Sequence, residues 1–149
     1  MSIYRRILAV LDLGEDGSDV ARRALAISQS CGNAQLELLH VVEYVPVEPL
    51  SDSLMPAVQI ESELLERARH RMAALAQNLG ASDVPWSVEA GNVKTEIVRI
   101  AREKSCDLIV IGSRERHGLS ILVNLTEDTV LHGAPCDVLA VRLPPRKPG

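Results

Sequence analysis

Short apolar runs rich in β-branched residues alternate along this chain with longer segments whose apolar positions recur every three or four residues. Runs of the first kind are typical of buried strands in a parallel sheet, because both faces of such a strand are covered. Segments of the second kind predict amphipathic helices with one apolar face. The predicted strands are residues 6–12, 35–43, 84–89, 108–111 and 137–143.

Four helices are predicted between these strands, over residues 15–31, 60–79, 93–104 and 126–132. Gly32 and Gly80 follow the first two helices, where a glycine commonly ends a helix. Asn92 stands where a side chain can cap the third helix. Residues 44–59 contain three prolines and predict a long irregular loop or lid, and residues 144–149 predict a disordered tail.

Strands that alternate with helices predict a doubly wound, Rossmann-like or flavodoxin-like α/β fold, with right-handed crossovers and helices on both faces of a parallel sheet. The chain has 149 residues and no internal repeat, so one domain over residues 1–143 is expected. Phenylalanine is absent and there is a single tryptophan, so aliphatic side chains must form the core. That composition argues against an aromatic platform for single-stranded nucleic acid.

Charge and hydropathy narrow the expected location and partners. The net charge of −4 gives no basic footprint for DNA or RNA. No apolar run is long enough to cross a membrane, and the first residues do not form a signal peptide. We therefore expect a cytoplasmic protein without membrane or nucleic-acid partners. Cys31, Cys106 and Cys136 are far apart and are expected to be reduced thiols that bind no metal.

The candidate site lies where predicted strands end. Ligands of open α/β sheets bind beyond the carboxyl ends of the strands. Gly112 is expected to stop the fourth strand and to open a polar loop that starts with Ser113 and Arg114. Asp12 ends the first strand, where its carboxylate would either bind a ribose or cap its own turn. His40, inside the second strand, is expected to be a core histidine with a satisfied hydrogen bond.

The chain resembles the universal stress protein family over nearly its whole length. Three blocks carry the resemblance: ILAVLD at 7–12 with Ala21 and Ala24 in the next helix, LLHV at 38–41, and DLIVIGS at 107–113 followed by VLHGAPCDVLAVR at 130–142. The resemblance implies a five-stranded parallel sheet of order 3-2-1-4-5. It also implies a homodimer, and we predict the C-terminal edge strand 137–143 as its interface. We further expect a protein partner, whose identity the sequence does not give.

Some members of this family bind ATP and others do not. In the binders, the residues that match Val10, Leu11, Asp12 and Val41 surround the adenine and ribose. Their phosphates lie on a loop with the pattern Gly, two residues, Gly, nine residues, Gly, then Ser or Thr. In this chain the first glycine position holds Gly112, followed by Ser113 and Arg114, and the second holds Glu115. The third holds Leu125, followed by Thr126. An alternative alignment places Asn124 and Leu125 on the final Gly-Ser.

Two of the three loop glycines are therefore missing in either alignment. Glycines of this kind let backbone N–H groups close on phosphate oxygens, whereas a carboxylate at Glu115 obstructs and repels a polyanion. We expect a vestigial nucleotide site, no bound cofactor, no catalytic residues and a regulatory role in stress response. The alternative is a switch that binds ATP or AMP, with slow ATP hydrolysis.

Overall fold

The structure is a computed structural model that describes residues 3–14, 17–43, 55–114, 130 and 132–143. Its strands and helices alternate along the chain, as the sequence pattern predicts. In chain order they are β1 (Arg6–Val10), α1 (Gly17–Ser30), β2 (Gln35–Glu43), α2 (Met55–Asn78), β3 (Trp86–Gly91), α3 (Val93–Glu103), β4 (Leu108–Arg114) and β5 (Asp137–Leu143).

The five strands form one sheet of order β3-β2-β1-β4-β5, and every neighbouring pair is parallel. The expected order is confirmed. β1 occupies the centre, where Ile7 pairs with Leu36 on one side and with Leu108 on the other. Since β1 lies between β2 and β4, the carboxyl ends of all three meet at one edge of the sheet.

Helices cover both faces of the sheet, as expected. Successive side chains of a strand point to opposite faces, and β1 follows this rule with Ile7 and Ala9 on one face and Leu8 and Val10 on the other. The first pair packs with buried residues of α1 and α2, and the second pair packs with buried residues of α3. These helical residues are Val20, Ala21, Ala24, Ala68 and Met72 on the first face, and Ile97, Ile100 and Ala101 on the second.

α2 begins earlier than the sequence predicts. The prediction of an irregular loop over residues 44–59 is wrong for residues 55–59, because the helix starts at Met55. Pro56 lies in the first turn, where the N–H that proline lacks would have no intrahelical partner, so it does not break the helix. Residues 44–54 lie outside the described part of the chain.

The ends of the other elements differ from the predictions by a few residues. β1 ends at Val10 rather than at residue 12, and β3 runs two residues further along the chain than predicted. Val84 is not in β3 because its N–H donates to the carbonyl of Ala81 in a turn. Gly32 and Gly80 adopt positive φ angles of 70° and 68° just after α1 and α2, which agrees with their predicted role.

Asn92 caps α3 as predicted, since its side chain accepts a hydrogen bond from the Thr95 N–H at 3.0 Å. Of the predicted helix over residues 126–132, only Val130 and His132 are described, and both are helical. The tail, residues 144–149, lies outside the described residues. No helix within the described residues is long and apolar enough to span a membrane.

Candidate nucleotide edge of the sheet

The residues that the sequence singles out converge on the carboxyl edge of β1, β2 and β4. Val10 pairs with Leu39 of β2 and with Ile111 of β4. Val41 therefore lies two residues beyond this row and Gly112 lies one residue beyond it. The topology thus brings together three backbone segments: the second follows the first by about thirty residues, and the third follows the second by about seventy.

The apolar members of this group pack on two different faces of the sheet. Val10 and Val41 are buried in the cluster beneath α3. Leu11 is only 2% exposed and belongs to the cluster beneath α1 and α2. A ligand at the edge would therefore meet the backbone of Leu11 and not its side chain.

The backbone of Leu11 already has hydrogen-bond partners. Its N–H donates to the carbonyl of Leu39 at 2.8 Å, which extends the pairing of β1 and β2 beyond the last strand residue. Its carbonyl oxygen lies 2.7 Å from Nδ1 of His40, so that ring nitrogen carries the proton and donates. His40 thus has the satisfied hydrogen bond that the sequence predicts, although it is half-buried and not a core residue, and it fixes the segment that leads to Asp12.

Asp12 is exposed at this edge and caps its own turn. Its Oδ1 accepts a hydrogen bond from the N–H of Gly14 at 3.1 Å. The sequence left two roles open for Asp12, binding a ribose or capping its own turn. In the structure Asp12 caps its turn. The turn also brings α1 close, because a Cβ on Gly17 would overlap the carbonyl oxygen of Asp12. Sequence reasoning missed Gly17, whose only signal was its place near the start of a helix.

Gly112 does not end its strand. β4 continues to Arg114, and Gly112, Ser113 and Arg114 pair with residues Val141, Arg142 and Leu143 of β5. The prediction that Gly112 stops the strand is wrong, because a partner strand of matching length continues the ladder past the glycine.

Packing explains why residue 112 is a glycine. A Cβ at this position would lie 2.8 Å from Cδ1 of Leu143 and 3.1 Å from Cγ2 of Val20, both nearer than ordinary contact. The glycine therefore lets α1 and β5 approach β4 closely. Its φ angle is not positive, so this residue needs no left-handed conformation.

The rest of the candidate phosphate loop lies outside the described residues. This applies to Glu115, Asn124, Leu125 and Thr126, and for Arg114 only the backbone is described. The described residues contain no group of three or more His, Cys, Asp or Glu side chains placed to hold a metal ion.

The sheet order, the edge residues and the C-terminal block can be compared with known proteins. The sequence model of the Universal stress protein family matches residues 3–142. The chain belongs to the universal stress protein family. It is 38% identical over 145 residues to Universal stress protein A homolog 2 of Coxiella burnetii, a match that covers 96% of this chain and 98% of the relative.

Solved structures of universal stress proteins share the fold. Universal stress protein UspA from Lactobacillus plantarum is 28% identical, with a TM-score of 0.71 and coverage of 93% of this chain and 98% of that one. A universal stress protein described in complex with cAMP is 24% identical, with a TM-score of 0.59 and coverage of 95% and 98%. This second likeness concerns the fold alone.

The three thiols are free in the structure. Burial raises the pKa of Cys106 to about 11, and burial also raises the pKa of Cys136. At both positions burial thus favours the neutral thiol over the thiolate.

Proposed function

We propose that this universal stress protein is a cytoplasmic, dimeric regulatory factor of the stress response, with a degenerate nucleotide edge that binds ATP weakly or not at all. It acts through a protein partner and not as an enzyme. The observation that carries the proposal is the position of Gly112 inside β4. Gly112 is the one glycine of the ATP-binding loop pattern that this chain retains. Its place in β4, with no room for a Cβ beside Leu143 and Val20, explains why this residue is a glycine without any bound phosphate.

The glycine at residue 112 therefore gives no independent support to a phosphate loop. The other two glycine positions hold Glu115 and Leu125 in the forward alignment. A side chain at each position keeps backbone N–H groups away from phosphate oxygens, and the carboxylate adds charge repulsion. Hydrogen bonds to a charged group contribute about 1.5–3 kcal/mol each, so the loss of a few lowers affinity by orders of magnitude.

Calorimetric titration with Mg-ATP tests this proposal. We expect no heat of binding at micromolar nucleotide, and no nucleotide in the native mass spectrum of freshly purified protein. A saturable isotherm with a micromolar or lower Kd would overturn it. Titration with AMP in the same buffer separates a lost phosphate loop from a lost adenine site, because AMP needs only the α-phosphate contacts.

The second candidate is a switch that binds ATP or AMP and hydrolyses ATP slowly. The observation in its favour is that Asp12 is exposed at the carboxyl edge, two residues after Val10, and that Val10 packs in one cluster with Val41. A tight ATP isotherm with release of phosphate over hours would establish this function instead.

The homodimer proposed here forms through β5. This strand lies at the end of the sheet and pairs only with β4 among the described strands. Leu139 is 37% exposed and Ala140 is also exposed, and no proline or lysine interrupts the strand. An apolar edge of this kind is a ready template for pairing with another chain. Two copies about a two-fold axis would satisfy both edges and close the assembly.

A further inference from the structure

A cavity of about 550 Å³ opens at the amino end of the sheet, at the opposite edge from the candidate nucleotide site. It lies where β1 and β2 begin and where α3 ends. Six of its lining residues matter here: Arg6, Leu36, Glu37, Pro85, Lys104 and Cys106. The volume falls within the ~300–1,000 Å³ that is usual for small-molecule sites.

Most of the wall is apolar and uncharged. Leu36 and Pro85 contribute hydrocarbon surface. Cys106 adds to this surface, because burial raises the pKa of its thiol to about 11 and keeps it neutral. The charged groups of the cavity are therefore Arg6, Lys104 and Glu37.

The carboxylate of Glu37 is incompletely satisfied. Its side chain is only 15% exposed, and Oε1 accepts a hydrogen bond from Nζ of Lys104 at 2.7 Å. Oε2 is buried and has no hydrogen-bond partner among the residues that the structure describes. Buried polar atoms normally have partners, and an unpaired acceptor costs free energy. The carboxylate of Glu37 therefore keeps one acceptor that no described residue satisfies, although Arg6, Gln35 and Lys104 line the same cavity.

The surrounding charges decide what kind of donor fits. Arg6 donates from Nη1 to the carbonyl of Lys104 at 3.1 Å, at the C-terminal end of α3. A cationic ligand would be repelled by Arg6 and Lys104, and an anionic ligand, although attracted to these two groups, would be repelled by Glu37 and could not donate to its carboxylate. A neutral hydroxyl or amide N–H supplies the donor without either repulsion.

We propose that this cavity binds a small neutral molecule with an apolar body and one hydroxyl or amide N–H, which donates to the carboxylate of Glu37. Oε2 is closed off from solvent in the structure, so the carboxylate must turn about its terminal torsion, which is broad in glutamate, to bring this oxygen to the ligand. The site is separate from the carboxyl edge, and its occupation does not require a nucleotide.

Two probes that differ in one donor test this proposal on the full-length protein. Benzyl alcohol has the required hydroxyl, whereas benzyl methyl ether has the same aromatic body and an oxygen acceptor but no donor. In amide NMR titrations, we expect benzyl alcohol to give saturable shifts at Leu36, Glu37 and Cys106, and to leave Asp12 and Gly14 unchanged. The ether should bind about tenfold more weakly, since it cannot donate to a charged acceptor.

Glu37→Gln tests the named acceptor. Lys104 can only donate, so the glutamine must turn its oxygen towards Lys104 and place its NH₂ group where Oε2 lies in the parent. We expect the preference for the alcohol to disappear, because both probes can accept from that group. Glu43→Gln is the matched control: it lies in the same strand, exposed at the other end of β2, and should keep the parent preference.

The comparison of the two probes on the parent protein stands even if Glu37→Gln does not fold. Absence of saturable shifts at Leu36, Glu37 and Cys106 would overturn the proposal. Equal affinity for the alcohol and the ether would overturn it as well, and so would a folded Glu37→Gln variant that keeps the preference for the alcohol.

Discussion

At the scale of single residues, glycines separate into those required by backbone conformation and those required by packing. Gly32 and Gly80 have positive φ angles, and a Cβ on either would meet no atom within 4 Å. Gly112 is the reverse case, with an ordinary φ angle and no room for a side chain. Its role in this protein is therefore structural, whatever the neighbouring loop binds.

Gly112→Ala should lower the free energy of unfolding by about 1–3 kcal/mol, because a methyl group is forced against Leu143 and Val20 in a packed core. Urea denaturation followed by circular dichroism measures the change. Gly133→Ala is the control, because its Cβ would come close only to the flexible end of Lys94. Equal stabilities for the two variants would contradict the packing role of Gly112.

Glu115→Gly alone should not restore tight ATP binding. The variant removes the repelling carboxylate, but the third glycine position still holds Leu125. Calorimetry with Mg-ATP should therefore give at most a weak isotherm. The double variant Glu115→Gly with Leu125→Gly is the comparison; micromolar binding by the single variant would show that one residue blocks an otherwise complete site.

At the scale of elements, α3 illustrates how a local signal fixes a boundary. Asn92 has extended backbone angles, and its Oδ1 accepts from both the N–H and the hydroxyl of Thr95. A side-chain acceptor at this position satisfies donors that the first helical turn leaves open. The start of α3 is thus set by residues adjacent in sequence, and the pattern alone predicted it.

Asn92→Ala should destabilise the protein by about 1 kcal/mol, the usual effect of losing a helix cap. The midpoint of urea unfolding should fall while the slope stays unchanged, because the folded and unfolded surfaces remain the same. Asn78→Ala, at the exposed end of α2, should change stability by less than about 0.5 kcal/mol. A loss of similar size in both variants would argue against the cap.

At the scale of the whole molecule, the sheet order leaves β5 on an edge, and the proposed dimer depends on that position. Ala140→Pro removes a backbone donor and distorts the strand, so it should shift the protein towards the monomer. Sedimentation at micromolar concentration measures this shift.

Arg142→Ala is the matched control for the dimer prediction, because it changes an exposed side chain of the same strand and keeps every backbone donor of β5. This variant should remain dimeric. A monomeric parent protein, or a dimer unaffected by Ala140→Pro, would show that β5 is not the interface.

Local sequence determined most of the fold. Five strands, the helices α1, α2 and α3, the cap at Asn92 and the glycine ends of α1 and α2 follow from periodicity and from the chemistry of neighbouring residues. The family blocks predicted the sheet order, which the fold confirms. These features were accessible because each depends on residues close together in the chain, or on a pattern spread over its whole length.

Only the tertiary structure decided the features that join distant residues. It placed Gly112 against Leu143 and Val20, and it linked His40 to the end of β1 through Leu11. It also enclosed Glu37 beside Lys104, 67 residues further along the chain. No local pattern encodes such contacts, because they depend on which strands lie side by side and on how closely the helices pack against them.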